Sequence, residues 1–108
     1  MIIVDNRFAS RSVECVAYFQ RYNNGQLALQ LFTKDSGESW ATASAACLGE
    51  DIPPDCMFVK DYSINEGMVS LLTNAGVIEG PPVKTARSGF VLINAYKLTE
   101  TALKEANV

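Results

Sequence analysis

Two tight turns inside a run of alternating residues constrain the fold of this chain most strongly. Asn23-Asn24-Gly25 and Lys34-Asp35-Ser36-Gly37 separate three segments in which apolar and polar side chains alternate. An Asn-Gly pair tolerates the positive φ angles of a hairpin turn, and alternation with a period of two is typical of half-buried strands. Segments 13–19, 26–33 and 39–46 are therefore predicted to form an antiparallel meander.

Further strands are predicted on both sides of this meander. Residues 1–4, 56–60 and 90–98 are rich in apolar and β-branched side chains. Gly80-Pro81-Pro82 is predicted to be a stiff connector.

One principal helix is predicted over residues 63–75. Ser63 and Glu66 have the spacing of a capping box, in which each side chain accepts a hydrogen bond from the backbone of the other residue. Spacings of three and four residues place one apolar stripe on the helix, formed by Met68, Leu71, Leu72 and Ala75. Gly76 is predicted to end the helix, since glycine adopts the left-handed conformation without strain.

These elements predict a single α+β domain over residues 1–108. We expect a mainly antiparallel sheet of five or six strands, with the helix at 63–75 packed on one face. A short C-terminal helix is expected over residues 99–108, starting at Thr99. A length of 108 residues suits one such domain.

The composition argues against catalysis and against a bound metal. The chain contains no histidine, which removes the commonest general base and metal ligand. Cys15, Cys47 and Cys56 lack the close pair spacing of a structural zinc site. Their odd number, their wide spacing and the lack of a secretory signal favour reduced thiols, which we expect to be buried or half-buried. There is also no glycine-rich phosphate loop. We therefore expect a protein that is not an enzyme and that uses no cofactor.

Charge and hydropathy restrict the compartment and the partners. Nothing resembles a signal peptide, and no apolar run reaches the ~20 residues of a membrane helix. We expect a cytoplasmic protein that does not associate with membranes. The net charge of −3, with Lys and Arg scattered singly, disfavours nucleic acid as a partner.

The second half of the chain carries four short motifs. They are Phe-Val-Lys-Asp-Tyr-Ser at 58–63, Asn-Glu-Gly-Met at 65–68, Gly-Val-Ile-Glu at 76–79 and Ser-Gly-Phe-Val at 88–91. Together they resemble a family of small uncharacterised proteins found in phages, plasmids and conjugative elements of gut and related bacteria. That family combines a Lys-Asp-Tyr-Ser-x-Asn-Glu-Gly block with a Ser-Gly-Phe-Val strand.

The resemblance covers residues 56–98 and departs from the family at two places. Ile64 stands where the family usually has glutamate, and Pro81-Pro82 stands where a Thr-Gly turn is common. Membership would imply an origin in a mobile element, but it implies no activity, because the family has no known function.

A polar and aromatic segment at the helix start is the predicted functional surface. We expect Asp61, Tyr62, Asn65 and Glu66, together with Arg87, to contact a host protein. Occluding a defence or regulatory factor in this way needs only surface complementarity. The structural alternative is that this segment serves helix capping alone.

Two other functions and one assembly remain open from the sequence. A nucleic-acid accessory protein would use Tyr18 and Trp40 for stacking, with cations at Arg11, Arg21 and Lys34. A small-molecule or nucleotide binder would use the helix start at 61–67, although two carboxylates there oppose an anionic ligand. A homodimer could form through an exposed edge strand.

Overall fold

The computed structural model describes residues 1–8 and 10–107. Within these residues the strands are β1 (Ile2–Asp5), β2 (Val13–Arg21), β3 (Leu27–Thr33), β4 (Ser39–Thr42), β5 (Cys56–Val59), β6 (Ile78–Ser88) and β7 (Val91–Leu98). The helices are α1 (Met68–Asn74) and α2 (Glu100–Ala106), and a single 3-10 turn spans Ser63–Asn65. The α+β class and the antiparallel pairing are as predicted.

The first sheet contains the predicted meander. Its order is β1-β2-β3-β4, and every neighbouring pair is antiparallel. Gly25 has a φ of +87° in the turn between β2 and β3, where the backbone N–H of Tyr22 donates to the carbonyl oxygen of Gln26 at 2.8 Å. The Asn-Gly turn therefore sets this hairpin as expected.

The second sheet contains a strand that the sequence pattern did not predict. Its order is β5-β7-β6, and β6 includes the segment predicted to be only a connector. Glu79 pairs with Lys97 and Lys84 pairs with Ala95, so residues 80–83 bulge out opposite a single residue of β7. β6 lies at the edge of the sheet and its two prolines lie in this bulge. Neither proline therefore needs to donate a backbone hydrogen bond to β7.

The prediction of one sheet with five or six strands is wrong. The strands form separate sheets of four and three, linked by an isolated bridge between Ser44 and Val59. After β4 the chain passes from β3 to β5. The N–H of Ala43 still donates to the carbonyl oxygen of Leu29 in β3 at 2.9 Å, whereas the N–H of Ala45 donates to the carbonyl oxygen of Phe58 in β5 at 3.1 Å. Alternation identifies strands, but it does not show where a strand changes its partner.

The predicted helix over 63–75 is also shorter than expected. The 3-10 turn at Ser63–Asn65 is separated from α1 by Glu66 and Gly67, and the φ of +90° at Gly67 lies in the left-handed region. Ser63 itself has a φ of +55°. The residue at the N-cap of the 3-10 turn is Tyr62 and that of α1 is Gly67, and neither makes a capping hydrogen bond through a side chain. The capping box of Ser63 and Glu66 is therefore not formed. Gly76 follows the helix with a φ of +76°, as predicted.

The C-terminal helix starts as its sequence predicts. The Thr99 hydroxyl accepts a hydrogen bond from the backbone N–H of Ala102 at 3.1 Å, which caps α2. Val108, the last residue of the predicted range, lies outside the described residues. None of the helices in the described part of the chain is long and apolar enough to cross a membrane.

One main core lies between the two sheets and the helices, and a smaller cluster lies on the far side of the second sheet. The main core takes buried side chains from both sheets and both helices, including Ile3, Leu29, Leu31, Met57, Leu72, Leu98 and Ala102. The smaller cluster contains Ala45, Cys47, Phe58, Ala86, Ile93 and Ala95. The second sheet thus packs apolar side chains on both faces, whereas the first sheet packs its core-facing side chains on one side.

Candidate functional site

Asp61 connects the end of β5 to the start of α1. Its Oδ1 accepts a hydrogen bond from the N–H of Gly67 at 2.8 Å, and its Oδ2 accepts one from the N–H of Val69 at 2.9 Å. These are backbone donors at a helix start, which have no partner within the helix. Asp61 therefore performs the capping that the sequence pattern assigned to Ser63 and Glu66.

Two of the predicted contact residues face the protein interior. The Tyr62 side chain packs against the smaller apolar cluster. Asn65 is 6% exposed, and its Nδ2 donates to the carbonyl oxygen of Thr42 at 2.7 Å. These contacts hold the 3-10 turn against the end of β4 and against the second sheet.

The other predicted residues lie on the surface. Asp61, Glu66 and Arg87 are exposed. Arg87 is the cross-strand partner of Leu92, and Leu92 and Asp61 line the same shallow depression of about 300 Å³. The fold thus brings Arg87 to the side of the second sheet on which Asp61 lies, although the two are far apart in sequence.

A buried ion pair that the sequence analysis did not predict supports this region. Asp5 is 0% exposed and accepts hydrogen bonds from Arg7 Nη2 at 2.8 Å and from Arg7 Nε at 3.0 Å. The indole Nε1 of Trp40 donates to Asp5 Oδ2 at 2.9 Å. A buried carboxylate needs such partners because isolated burial of the charge is very unfavourable.

These partners also control the ionisation of Asp5. Burial by itself raises the pKa of this carboxyl, because desolvation disfavours the charged form. The hydrogen bonds from Arg7 and Trp40 and the positive charge of Arg7 act in the opposite direction and outweigh burial. The pKa of Asp5 is therefore lowered from its usual value of 3.8.

Arg7 links this ion pair to the turn before α1. Its Nη1 donates to the carbonyl oxygen of Ile64 at 3.4 Å. A Cβ atom added to Gly67 would lie 3.5 Å from Cδ of Arg7, which is ordinary van der Waals contact. The left-handed φ of Gly67, rather than crowding, is thus what requires glycine there.

Above the ion pair lies a surface of aromatic and apolar side chains, which we call the Trp40 surface: Phe8, Arg11, Trp40 and Ile64. The rings of Phe8 and Trp40 meet edge to face at 6.1 Å, and the Arg11 guanidinium lies 5.6 Å from the Trp40 ring centroid. Phe8 is 46% and Ile64 is 86% exposed. Phe8, Trp40 and Ile64 line a small depression of about 130 Å³.

A second, larger depression of about 660 Å³ lies on the other side of Trp40. Its lining carries charges of both signs, from Arg11 and Lys34 and from Glu14, Asp35 and Glu38. Such a mixed lining does not select an anionic or a cationic ligand by charge. The half-buried Trp40 side chain thus lines both depressions.

The two aromatic residues considered for base stacking do not share an environment. Tyr18 is 53% exposed and meets the Phe32 ring at 6.2 Å on the first sheet. Trp40 instead packs against the main core and bonds to Asp5. A continuous stacking platform built from these two rings is therefore not present.

Comparison of the chain with protein-family models, with curated proteins and with solved structures finds no match. The resemblance to mobile-element proteins accordingly stays a prediction that rests on its four motifs. Within residues 1–8 and 10–107, no three Cys, Asp or Glu side chains come together as a metal site.

Proposed function

We propose that this chain is a non-enzymatic protein-binding module whose partner docks on the Trp40 surface. The observation that carries the proposal is the fixed position of the Trp40 ring, held through its Nε1 by the fully buried Asp5. Interfaces obtain most of their binding energy from a few Trp, Tyr and Arg side chains. A ring that is ordered before binding loses little conformational entropy when a partner arrives.

Asp61 and Glu66, two of the charged residues predicted from sequence, suit the rim of this surface. Asp61 and Glu66 are exposed on the segment that also carries Ile64, and Arg87 lies farther along the second sheet. Charges at a rim steer association and select partners more than they add affinity. Tyr62 and Asn65 would act indirectly by holding the shape of the turn.

The partner in this proposal is a host protein of a bacterium that carries the mobile element. The motif resemblance supports a phage, plasmid or conjugative element as the source. A small protein of this kind would act in the host cytoplasm by occluding a defence or regulatory factor. Such an action requires a complementary surface and no catalytic group.

The test is affinity capture of tagged protein from the native host, with and without phage infection, read by mass spectrometry. Ile64→Asp places a charge on the Trp40 surface at a side chain that is 86% exposed, so the fold should tolerate it. Leu48→Asp is the matched control, because Leu48 is 81% exposed and lies outside this surface.

We expect one stoichiometric host protein with the wild type and with Leu48→Asp, and loss of that protein with Ile64→Asp. Equal capture by folded Ile64→Asp would refute the Trp40 surface. Capture of nuclease-sensitive nucleic acid or of a metabolite, with no protein, would refute the proposed function itself.

A further inference from the structure

The exposed turn between β2 and β3 contains the one Asn-Gly pair of the sequence, Asn24-Gly25. An asparagine before a glycine can react with its own backbone, because glycine has no Cβ to shield its nitrogen from the preceding side chain. The backbone nitrogen of Gly25 attacks Cγ of Asn24, and a C–N bond forms that closes a succinimide ring. The side-chain nitrogen of Asn24 leaves as ammonia, taking with it the proton of the Gly25 N–H.

Water completes the reaction by opening the ring at one of its two carbonyl carbons. One opening gives aspartate at position 24. The other gives isoaspartate, in which the backbone runs through the former side chain. One water is consumed and one ammonia is released for each Asn24 that reacts, so the chain and its solvent supply every reactant.

The folded turn holds both reacting groups away from each other. The N–H of Gly25 donates to the carbonyl oxygen of Tyr22 at 2.9 Å. The Oδ1 of Asn24 accepts a hydrogen bond from the N–H of Gln26 at 3.0 Å. For the attack, the nitrogen of Gly25 must lose its proton and the carboxamide of Asn24 must turn back toward it. Both bonds must therefore be released first, as amide hydrogen exchange also requires at Gly25.

We propose that Asn24 is a site of spontaneous covalent modification, and that opening of the β2–β3 turn controls its rate. Each of the two hydrogen bonds that must be released contributes about a factor of five, so the folded chain reacts roughly 30-fold more slowly than the unfolded chain. Arg21 stabilises the closed turn, since its Nη1 donates to the carbonyl oxygen of Gly25 at 2.8 Å and its Nη2 to that of Pro54 at 3.2 Å.

The modified turn affects a buried contact through Gln26. Gln26 is 8% exposed, and its Nε2 donates to the carbonyl oxygens of Cys47 at 3.0 Å and Glu50 at 2.8 Å. Its Oε1 accepts a hydrogen bond from the N–H of Cys47 at 2.8 Å. Isoaspartate adds a CH2 group to the backbone directly before Gly25, which displaces Gln26 and weakens these bonds. Aspartate leaves the backbone length unchanged and keeps an acceptor for the N–H of Gln26.

The first experiment measures the reaction in the full chain at mildly alkaline pH, folded in buffer and unfolded in guanidinium chloride. Mass spectrometry of the peptide that contains Asn24 follows the replacement of NH2 by OH. We expect Asn24 to react fastest of all asparagines in the unfolded chain, and roughly 30-fold more slowly in the folded chain. Equal folded and unfolded rates would overturn the control by the turn. An unfolded chain in which Asn24 reacts no faster than the other asparagines would overturn the site.

Hydrogen exchange at Gly25 tests whether the two processes pass through the same open state. The ratio of folded to unfolded rates should be the same for exchange at Gly25 and for modification of Asn24. Arg21→Ala should raise both ratios together, because it removes the donors to the carbonyl oxygen of Gly25. Lys34→Ala is the matched control, since Lys34 is an exposed cation in the turn between β3 and β4. Ratios that differ in the wild type or in Arg21→Ala would overturn the shared open state.

The two products should differ in stability. The isoaspartate form, separated by ion exchange, should melt at least about 4 °C below the wild type. Asn24→Asp represents the other product and should melt like the wild type. An isoaspartate form as stable as Asn24→Asp would overturn the effect on Gln26. The turn shares no residue with the Trp40 surface, so modification of Asn24 can be tested independently of the proposed partner.

Discussion

Arg7 binds Asp5 through three hydrogen bonds from its side chain, at 2.8, 3.0 and 3.1 Å, while the Asp5 carboxylate is completely buried. The backbone N–H of Arg7 adds a fourth at 3.0 Å. Since Arg7 also reaches the carbonyl oxygen of Ile64, the end of β1 is connected to the turn before α1. Through these bonds the ion pair supports two residues of the Trp40 surface, Trp40 and Ile64.

Removing one member of this pair should destabilise the fold strongly. Arg7→Ala leaves the Asp5 carboxylate buried without its cation, and breaking a buried ion pair in this way costs about 3–5 kcal/mol. Chemical denaturation followed by circular dichroism gives the free energy of unfolding. The double substitution Asp5→Leu and Arg7→Met should lose much less, because it removes both charges. Equal losses in the single and double variants would contradict this account.

The same pair predicts how stability depends on acid. The pKa of Asp5 is lower in the folded chain than its ordinary value of 3.8. The folded state therefore favours the charged carboxylate, and its contribution is complete above the unfolded pKa. It is lost as the pH falls from about 4 through the lowered pKa of the folded state.

Denaturation between about pH 6 and about pH 2 measures this effect. The wild type should lose more stability over this range than Asp5→Asn, whose side chain does not titrate. Glu14→Gln serves as the exposed control, and its profile should follow that of the wild type. If the stability of the wild type falls with pH only as much as that of Asp5→Asn, the ionisation of Asp5 does not contribute to the stability of the fold.

Asp61 should stabilise α1, although it lies several residues before the helix in the sequence. Asp61→Ala removes both acceptors of the N–H groups of Gly67 and Val69. Loss of a helix cap costs about 1 kcal/mol, which lowers the Tm by about 4–8 °C in a domain of this size. Asp61→Asn keeps one carbonyl oxygen and should lose less. An unchanged Tm in Asp61→Ala would show that these two bonds contribute nothing.

The three cysteines should be unreactive in the folded chain. All are buried and free, and burial raises the pKa of each thiol. Burial, followed by the hydrogen bond and the charge of Asp55, raises the pKa of Cys56 from 9.0 to about 11, which lowers its thiolate fraction near neutral pH about 100-fold.

Labelling with a chromogenic disulfide reagent at neutral pH tests this expectation. The native chain should react slowly at all three thiols, and the chain in denaturant should react quickly. Val16→Cys provides an exposed thiol as an internal reference in the native state. Rapid reaction of Cys56 at the rate of that reference would contradict its burial.

Local patterns predicted the elements whose structure depends on local chemistry. The Asn-Gly turn, the Thr99 cap and the stop at Gly76 each depend on a few neighbouring residues. The strand β6 was missed because its prolines argue against a strand unless the bulge and the edge position are known. The division into two sheets depends on the change of partner strand between Ala43 and Ala45, which alternation does not encode.

The contact role of the segment 61–67 stays a prediction. The capping role of Asp61 could not be predicted from the sequence, because it depends on the left-handed turn at Gly67. The ion pair was missed although the sequence contains a signal for it. Alternation along β1 places Asp5 on the same inward face as Ile3, and Arg7 is the nearest cation in sequence. A carboxylate on the inward face of a strand needs a cation within reach, and Arg7 is the first candidate.

The bulge at residues 80–83 has a consequence for how this chain behaves in concentrated solution. Molecules that join through strand edges each leave another edge open, so growth continues and ends in fibrils. Here two prolines interrupt the eleven-residue edge strand at its middle. The free edge of β6 is therefore a poor template for such growth.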